Sequence, residues 1–140
     1  MTEQAGYSAR PLARKLGIGE DDTVAVVGAP DGFADRLAAE IGDEAEIRTE
    51  LGKAGLFDVI VAFVTWRSEF ESELSLLRDR MAPACGLWVA WPKRAARVPT
   101  DLSDNVIREV ALPTGLVDNK VCAIDRTWSG LRLVIRRELR

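Results

Sequence analysis

The sequence predicts a three-layer α/β fold, with a mostly parallel sheet between helices and an antiparallel hairpin at its C-terminal end. Three observations carry this prediction. Runs that are apolar at nearly every position, residues 24–27, 59–64 and 86–91 among them, read as strands buried on both faces. Segments of helical period separate them, and parallel neighbours need such crossovers. The final strand-like segments, 120–125 and 131–137, have only residues 126–130 between them, which suits an antiparallel pair.

In chain order, residues 8–17 form one or two helical turns: Pro11 suits a first turn, Leu12 and Leu16 share a face, and Gly17 ends it. Residues 23–28 are the first strand. Residues 31–41 are an amphipathic helix capped by Asp31, because Phe33, Leu37 and Ile41 recur at every fourth position and Gly42 follows. Residues 45–51 are a second strand with thin apolar content, and 57–64 a third with the clearest pattern in the chain. Ser68 and Glu71 have the spacing of a capping box, the serine accepting from a free helix N–H and the glutamate reaching back. The helix they open shows one apolar face through Phe70, Leu74, Leu77 and Met81, as far as Pro83. Residues 86–91 are a buried strand stopped by Pro92. Residues 101–112 begin with N-cap residue types and close at Pro113 and Gly115, which makes them a third main helix. In the last strand, Leu131, Leu133 and Ile135 alternate with Arg132, Val134 and Arg136, so one face is wetter.

A strand-helix alternation that closes on a hairpin is the architecture of class I methyltransferases, a variant of the doubly wound Rossmann type. At 140 residues the whole chain, 1–140, is expected to be a single such domain, long enough to bury a core without disulfides or metal. Ligands of this fold bind outside the carboxyl ends of the strands. Here that edge comprises residues 28–33, 65–67 and 91–94.

Composition narrows the chemistry. The chain has 19 Lys+Arg, 22 Asp+Glu and no histidine. That removes Ser-His-Asp and Cys-His nucleophiles, imidazole acid–base groups and His-containing metal sites. Cys85 and Cys122 are too few for a four-thiolate zinc site, and no metal is expected. Both read as small buried hydrophobes in a reducing compartment. The N-terminal residues lack the pattern of a secretory signal, and no apolar run approaches the ~20 residues of a membrane span, so a cytoplasmic protein without membrane partners is expected. A net charge of -3 argues against a generic nucleic-acid binder. The charge is uneven: residues 1–90 hold 9 basic and 16 acidic side chains, residues 91–140 hold 10 and 6. Either the surface helices fall that way by accident, or the C-terminal part faces an anionic ligand or the acidic face of another copy, which leaves a homo-oligomer open.

At the expected edge, Gly28, Asp31 and Gly32 form a strand-to-helix turn that lets a ligand approach the backbone. The methyltransferase pattern has an acidic residue followed by three alternating glycines. Here Val26 stands in the acidic place and Pro30 in that of the middle glycine, so S-adenosylmethionine is expected to bind weakly or not at all. Glu50, about twenty residues after Gly28, stands where the fold places a ribose-binding carboxylate. Thr65, Trp66 and Trp91 lie at the ends of adjacent strands, the two indoles forming an aromatic wall or a roof on the core. Lys93 is the first cation beyond Trp91, with Arg94 and Arg97 following, and can hold a phosphate or carboxylate. Asn105 and Arg108 share a helix face, and Trp128 is placed at a hairpin tip that turn chemistry does not explain. A small anionic or adenosyl-type ligand is expected to touch Lys93 together with Trp91 or Trp66.

Several strings carry a resemblance: Gly6-Tyr-Ser8, residues 11–18, Val27-Gly-Ala-Pro-Asp-Gly-Phe33, Leu87-Trp-Val-Ala-Trp-Pro-Lys93, Thr100-Asp-Leu102, Gly115-Leu-Val-Asp118, Lys120-Val-Cys-Ala123 and Thr127-Trp-Ser-Gly-Leu131. Together they are similar to an uncharacterised bacterial family, domain of unknown function (DUF) 3052, over nearly the whole chain. The resemblance implies no activity or cofactor. Two functional expectations stand: a small-molecule-binding or interaction module on a degenerate methyltransferase-like fold, or a minimal transferase using an S-adenosylmethionine-like or nucleotide ligand at the same edge.

Overall fold

A computed structural model describes residues 11–140. Residues 8–10 of the first expected helix, and the Gly6-Tyr-Ser8 string, lie outside the described residues. The elements are α1 (Pro11–Leu16), β1 (Thr23–Val27), α2 (Phe33–Ile41), β2 (Glu46–Arg48), β3 (Phe57–Phe63), α3 (Arg67–Asp79), β4 (Met81–Pro92), α4 (Asp104–Ala111), β5 (Leu116–Ala123) and β6 (Trp128–Ile135). Short 3-10 turns lie at Arg94–Ala96, Leu112–Thr114 and Arg137–Leu139.

Six strands form one sheet in the order β2-β1-β3-β4-β6-β5. β1, β2, β3 and β4 pair parallel, and β6 runs antiparallel between β4 and β5. The parallel centre and antiparallel 131–137 read from the sequence are what forms. Apolar residues on alternate positions feed two cores. On one face Val24, Val26, Trp88 and Ala90 pack against Leu12 and Leu16 of α1 and Phe33 and Leu37 of α2. On the other, Ile60, Leu87 and Val89 pack against Phe70, Leu74 and Leu77 of α3 and Ile107 of α4.

Several boundaries differ from the sequence reading. Asp31 does not cap α2: the N-cap is Gly32, in the left-handed region at φ 86°, and it offers no side-chain acceptor. Ser68 does not cap α3 either. That helix starts at Arg67, and Glu69 Oε1 accepts from the Thr65 and Trp66 N–H groups at 2.8 and 3.4 Å. Asp101 Oδ1 accepts from the Arg67 N–H at 2.7 Å, which leaves Glu71 to pair with the Arg67 guanidinium. Met81 belongs to β4 and not to the helix. Its helical spacing from Leu77 is real, but Pro83 cannot continue a helix, and Phe57 of β3 lies opposite Met81 in the parallel register. The helix expected over 101–112 begins at Asp104, with Ser103 Oγ accepting from the Val106 N–H at 3.2 Å. The second strand shrinks from 45–51 to Glu46–Arg48, and the hairpin strands start earlier than expected.

The β2–β3 connection has no helix. Residues 51–55 are held instead by Arg80, whose buried guanidinium donates to the carbonyls of Leu51, Gly52, Ala54 and Gly55 and lies over the Phe57 ring.

Candidate functional site

Strand order reverses at β1, with β2 on one side and β3 on the other, so the carboxyl ends of β1 and β3 flank the crevice where this fold takes ligands. Gly28 makes the turn at φ 68°, and a Cβ there would lie 3.0 Å from the Phe63 carbonyl oxygen. The turn walls a cavity of 270 Å³ lined by Gly28, Asp31, Gly32, Asp35 and Thr49 among others. Pro30 has no N–H to offer, and its carbonyl accepts from Phe33 at 3.2 Å. Asp31 and Asp35 place two carboxylates at this helix start, which repels phosphate. Glu50 is exposed, and its neighbour Thr49 lines the cavity in its place.

At the end of β3 the chain is latched shut. Thr65 spends its N–H on Glu69, and its carbonyl accepts from the Thr100 hydroxyl. The Arg67 guanidinium pairs with Glu71 at 3.0 Å and Glu109 at 2.7 Å. Trp66 is 46% exposed beside this latch.

The ends of β4, β5 and β6 are different. A cleft of 650 Å³ lies there, lined by Lys15 of α1, Arg36 of α2, Lys93 after β4, and residues 123–127 including Arg126. Its one carboxylate among the described residues, Asp125, accepts from the Thr127 and Trp128 N–H groups at 2.8 and 2.9 Å and shapes the turn. The Lys93 N–H donates to the Thr127 carbonyl at 2.8 Å, which pins the turn to the end of β4. Lys15 Nζ donates to the Ala123 carbonyl at 2.8 Å. Among the described residues, Arg36, Lys93 and Arg126 make no ion pair or hydrogen bond through their side chains.

Trp91 turns to the other face of the sheet. It is 8% exposed and lines a separate cavity of 420 Å³ with Arg94, Arg97, Val98 and Thr100 among others. The structure therefore puts Lys93 and Trp91 in neighbouring cavities. Trp128 is the first residue of β6 and not a hairpin tip: it lies opposite Pro92, and Phe63 meets it edge-on at 5.0 Å. Arg108 has its charge matched, donating to Asp118 at 2.9 Å, to Asn105 at 3.0 Å and to Asp104 at 3.3 Å. The hydrogen bond to Asp118 first, then the attraction to both aspartates and the Asp104 hydrogen bond, hold its pKa above the ordinary arginine value. Asn105 thus joins an α4-to-β5 brace.

Of the cleft cations, Lys93 was legible from its place after a buried strand. Lys15, Arg36 and Arg126 were missed, since two sit on helices of the acidic half. No group of three or more acidic or cysteine side chains among the described residues is placed to hold a metal. No helix among them is long and apolar enough to cross a membrane.

The sheet order and the glycine turn invite comparison with solved structures. An S-adenosylmethionine-dependent methyltransferase from Aquifex aeolicus superposes with a TM-score of 0.64 at 16% identity, over 91% of this chain and 89% of that one. The fold is that of class I methyltransferases. Magnesium protoporphyrin IX methyltransferase from Synechocystis PCC 6803, with S-adenosylhomocysteine bound, gives 0.61 at 12% identity over 96% of this chain and 83% of that one. No family model matches the sequence, and neither does any curated protein.

Proposed function

We propose that this methyltransferase-fold domain is a binding module for a small phosphorylated or carboxylated molecule, held in the cleft around Lys93. One observation carries the reading: cations from four separate parts of the chain converge on a cleft whose single carboxylate among the described residues is already engaged. At 650 Å³ the cleft falls within the roughly 300–1,000 Å³ of small-molecule sites, and the glycine-turn cavity at 270 Å³ falls below it. Fixed positive charge in a concave site raises the local concentration of anions. The proposal includes a single domain, a cytoplasmic setting and membership of the uncharacterised bacterial family named above, which rests on the quoted strings.

A second reading, a minimal transferase with an adenosyl ligand at the glycine turn, is favoured by the fold shared with proteins that hold S-adenosylhomocysteine. A thermal-shift series separates the two. Pyrophosphate, sugar phosphates, nucleotides and S-adenosylmethionine are each added to the parent and to Lys93→Ala, since any ligand of the native state raises Tm by mass action. The first reading expects phosphorylated compounds to raise Tm more in the parent than in Lys93→Ala. A rise with S-adenosylmethionine alone, or one that is undiminished in Lys93→Ala, overturns it.

A further inference from the structure

A second basic cavity lies on the α1 face of the sheet, between the end of α1 and the β5–β6 hairpin. It measures 280 Å³ and is lined by Lys15, Trp88, Asn119, Lys120 and Arg132, with Leu16 and Gly17 above. Trp88 faces Arg132 in the β4–β6 register and Arg132 faces Lys120 in the β6–β5 register, so the three form one row across the sheet. Gly86, two positions before Trp88, shares their face.

Gly86 has no positive φ and makes no turn, and glycine inside a strand weakens it unless something approaches closely. Here Arg132 approaches. A Cβ at position 86 would lie 2.5 Å from Arg132 Nε and 2.8 Å from one terminal nitrogen, so the guanidinium rests on bare backbone. Arg132 is half-buried, yet among the described residues its side chain makes no hydrogen bond and no ion pair. Its nitrogens are not sealed from solvent. Lys120 on the other side is also unpaired among the described residues. A planar guanidinium fixed in this way presents a fork that matches two oxygens of a carboxylate or phosphate.

We propose that Arg132, seated on Gly86 and flanked by Lys120, forms an oxyanion site separate from the Lys93 cleft, binding the carboxylate or phosphate group of a small molecule. Lys15 lines both cavities; Arg132, Lys120 and Gly86 line only this one or its floor.

The test uses the Trp88 indole N–H resonance of the labelled protein, which reports from the cavity wall. Inorganic phosphate and malonate are titrated separately at constant ionic strength, with chloride as the balancing salt. A saturable shift is expected with at least one of them, and which one saturates distinguishes the two oxyanions. Arg132→Gln should weaken the affinity at least tenfold, and Lys93→Ala should leave it unchanged. Gly86→Ala pushes the guanidinium off its seat while leaving the arginine in the chain, and should weaken binding as well. If Arg132→Gln fails to fold, Lys120→Gln, on an exposed side chain, takes its place. The proposal is overturned if neither anion gives a saturable shift, or if the shift persists in both Gly86→Ala and the charge variant. Because the thermal-shift series reads Lys93, failure of either site leaves the other standing.

Discussion

The Trp88 indole N–H donates to the carbonyl oxygen of Leu16 at 3.0 Å, joining residues 72 apart in the chain. The bond fastens the last turn of α1 to the middle of the sheet, and both side chains are 1% exposed.

Trp88→Ala therefore removes a core side chain and the tie together, and should cost about 3–5 kcal/mol. Urea denaturation would show the midpoint fall with its slope unchanged. Trp88→Phe keeps most of the volume and loses the donor, so it should cost less. Equal costs for the two variants would mean that volume matters little here.

Arg80 is a buried cation whose partners are carbonyls of one loop. Arg80→Met should lower stability by about 2–4 kcal/mol, because hydrogen bonds from a charged donor are lost where backbone acceptors are shielded. Amide exchange should quicken over residues 51–57 before it quickens elsewhere. Arg80→Lys, with no planar fork, should recover only part of the loss. Unchanged exchange in that loop would show that Arg80 does not hold it.

Burial pushes the Cys85 thiol up to about 12, with Asp58 adding to the rise and Arg132 opposing it. Cys122 is also raised by burial, against the pull of Lys15 and Lys120. A thiol reagent at mild pH should label Cys122 in the native protein and both cysteines in denaturant. The folded value of Cys85 lies above the unfolded one. As pH rises past about 9, the unfolded chain sheds a proton that the folded chain keeps, and stability falls by about 1.4 kcal/mol per pH unit until the folded thiol ionises. Cys85→Ala should flatten this alkaline decline. An identical decline in that variant would place the cause in other groups.

S-adenosylmethionine titrated by calorimetry should give no micromolar binding. Pro30 withholds an N–H at the closest part of the glycine turn, whose cavity carries two carboxylates. Micromolar binding to the parent would overturn this and return the glycine turn to use.

The central strands were legible because they are apolar on both faces over four or more residues, a pattern that few helices mimic. Met81 was not, since a buried residue four beyond Leu77 fits a helix as well as it fits the first residue of the next strand. Capping failed for a related reason. Ser68 and Glu71 have the right spacing, yet Asp101, thirty-four residues from Arg67, supplies the acceptor at that helix start. Site residues divided along the same line. Lys93 follows directly from a strand end, whereas Lys15 and Arg36 reach the cleft only through the packing of α1 and α2, which no local pattern encodes.

β5 precedes β6 in the chain but touches the sheet only through it. Residues 116–123 therefore have no sheet edge to pair with until residues 128–135 are made. The waiting segment carries Asp118, Asn119 and Lys120 in succession, polar side chains that discourage an unpaired strand from joining a stranger. β6 thus carries two pairings, one with β4 and one with β5. Any lesion that slows β6 strands β5 with it.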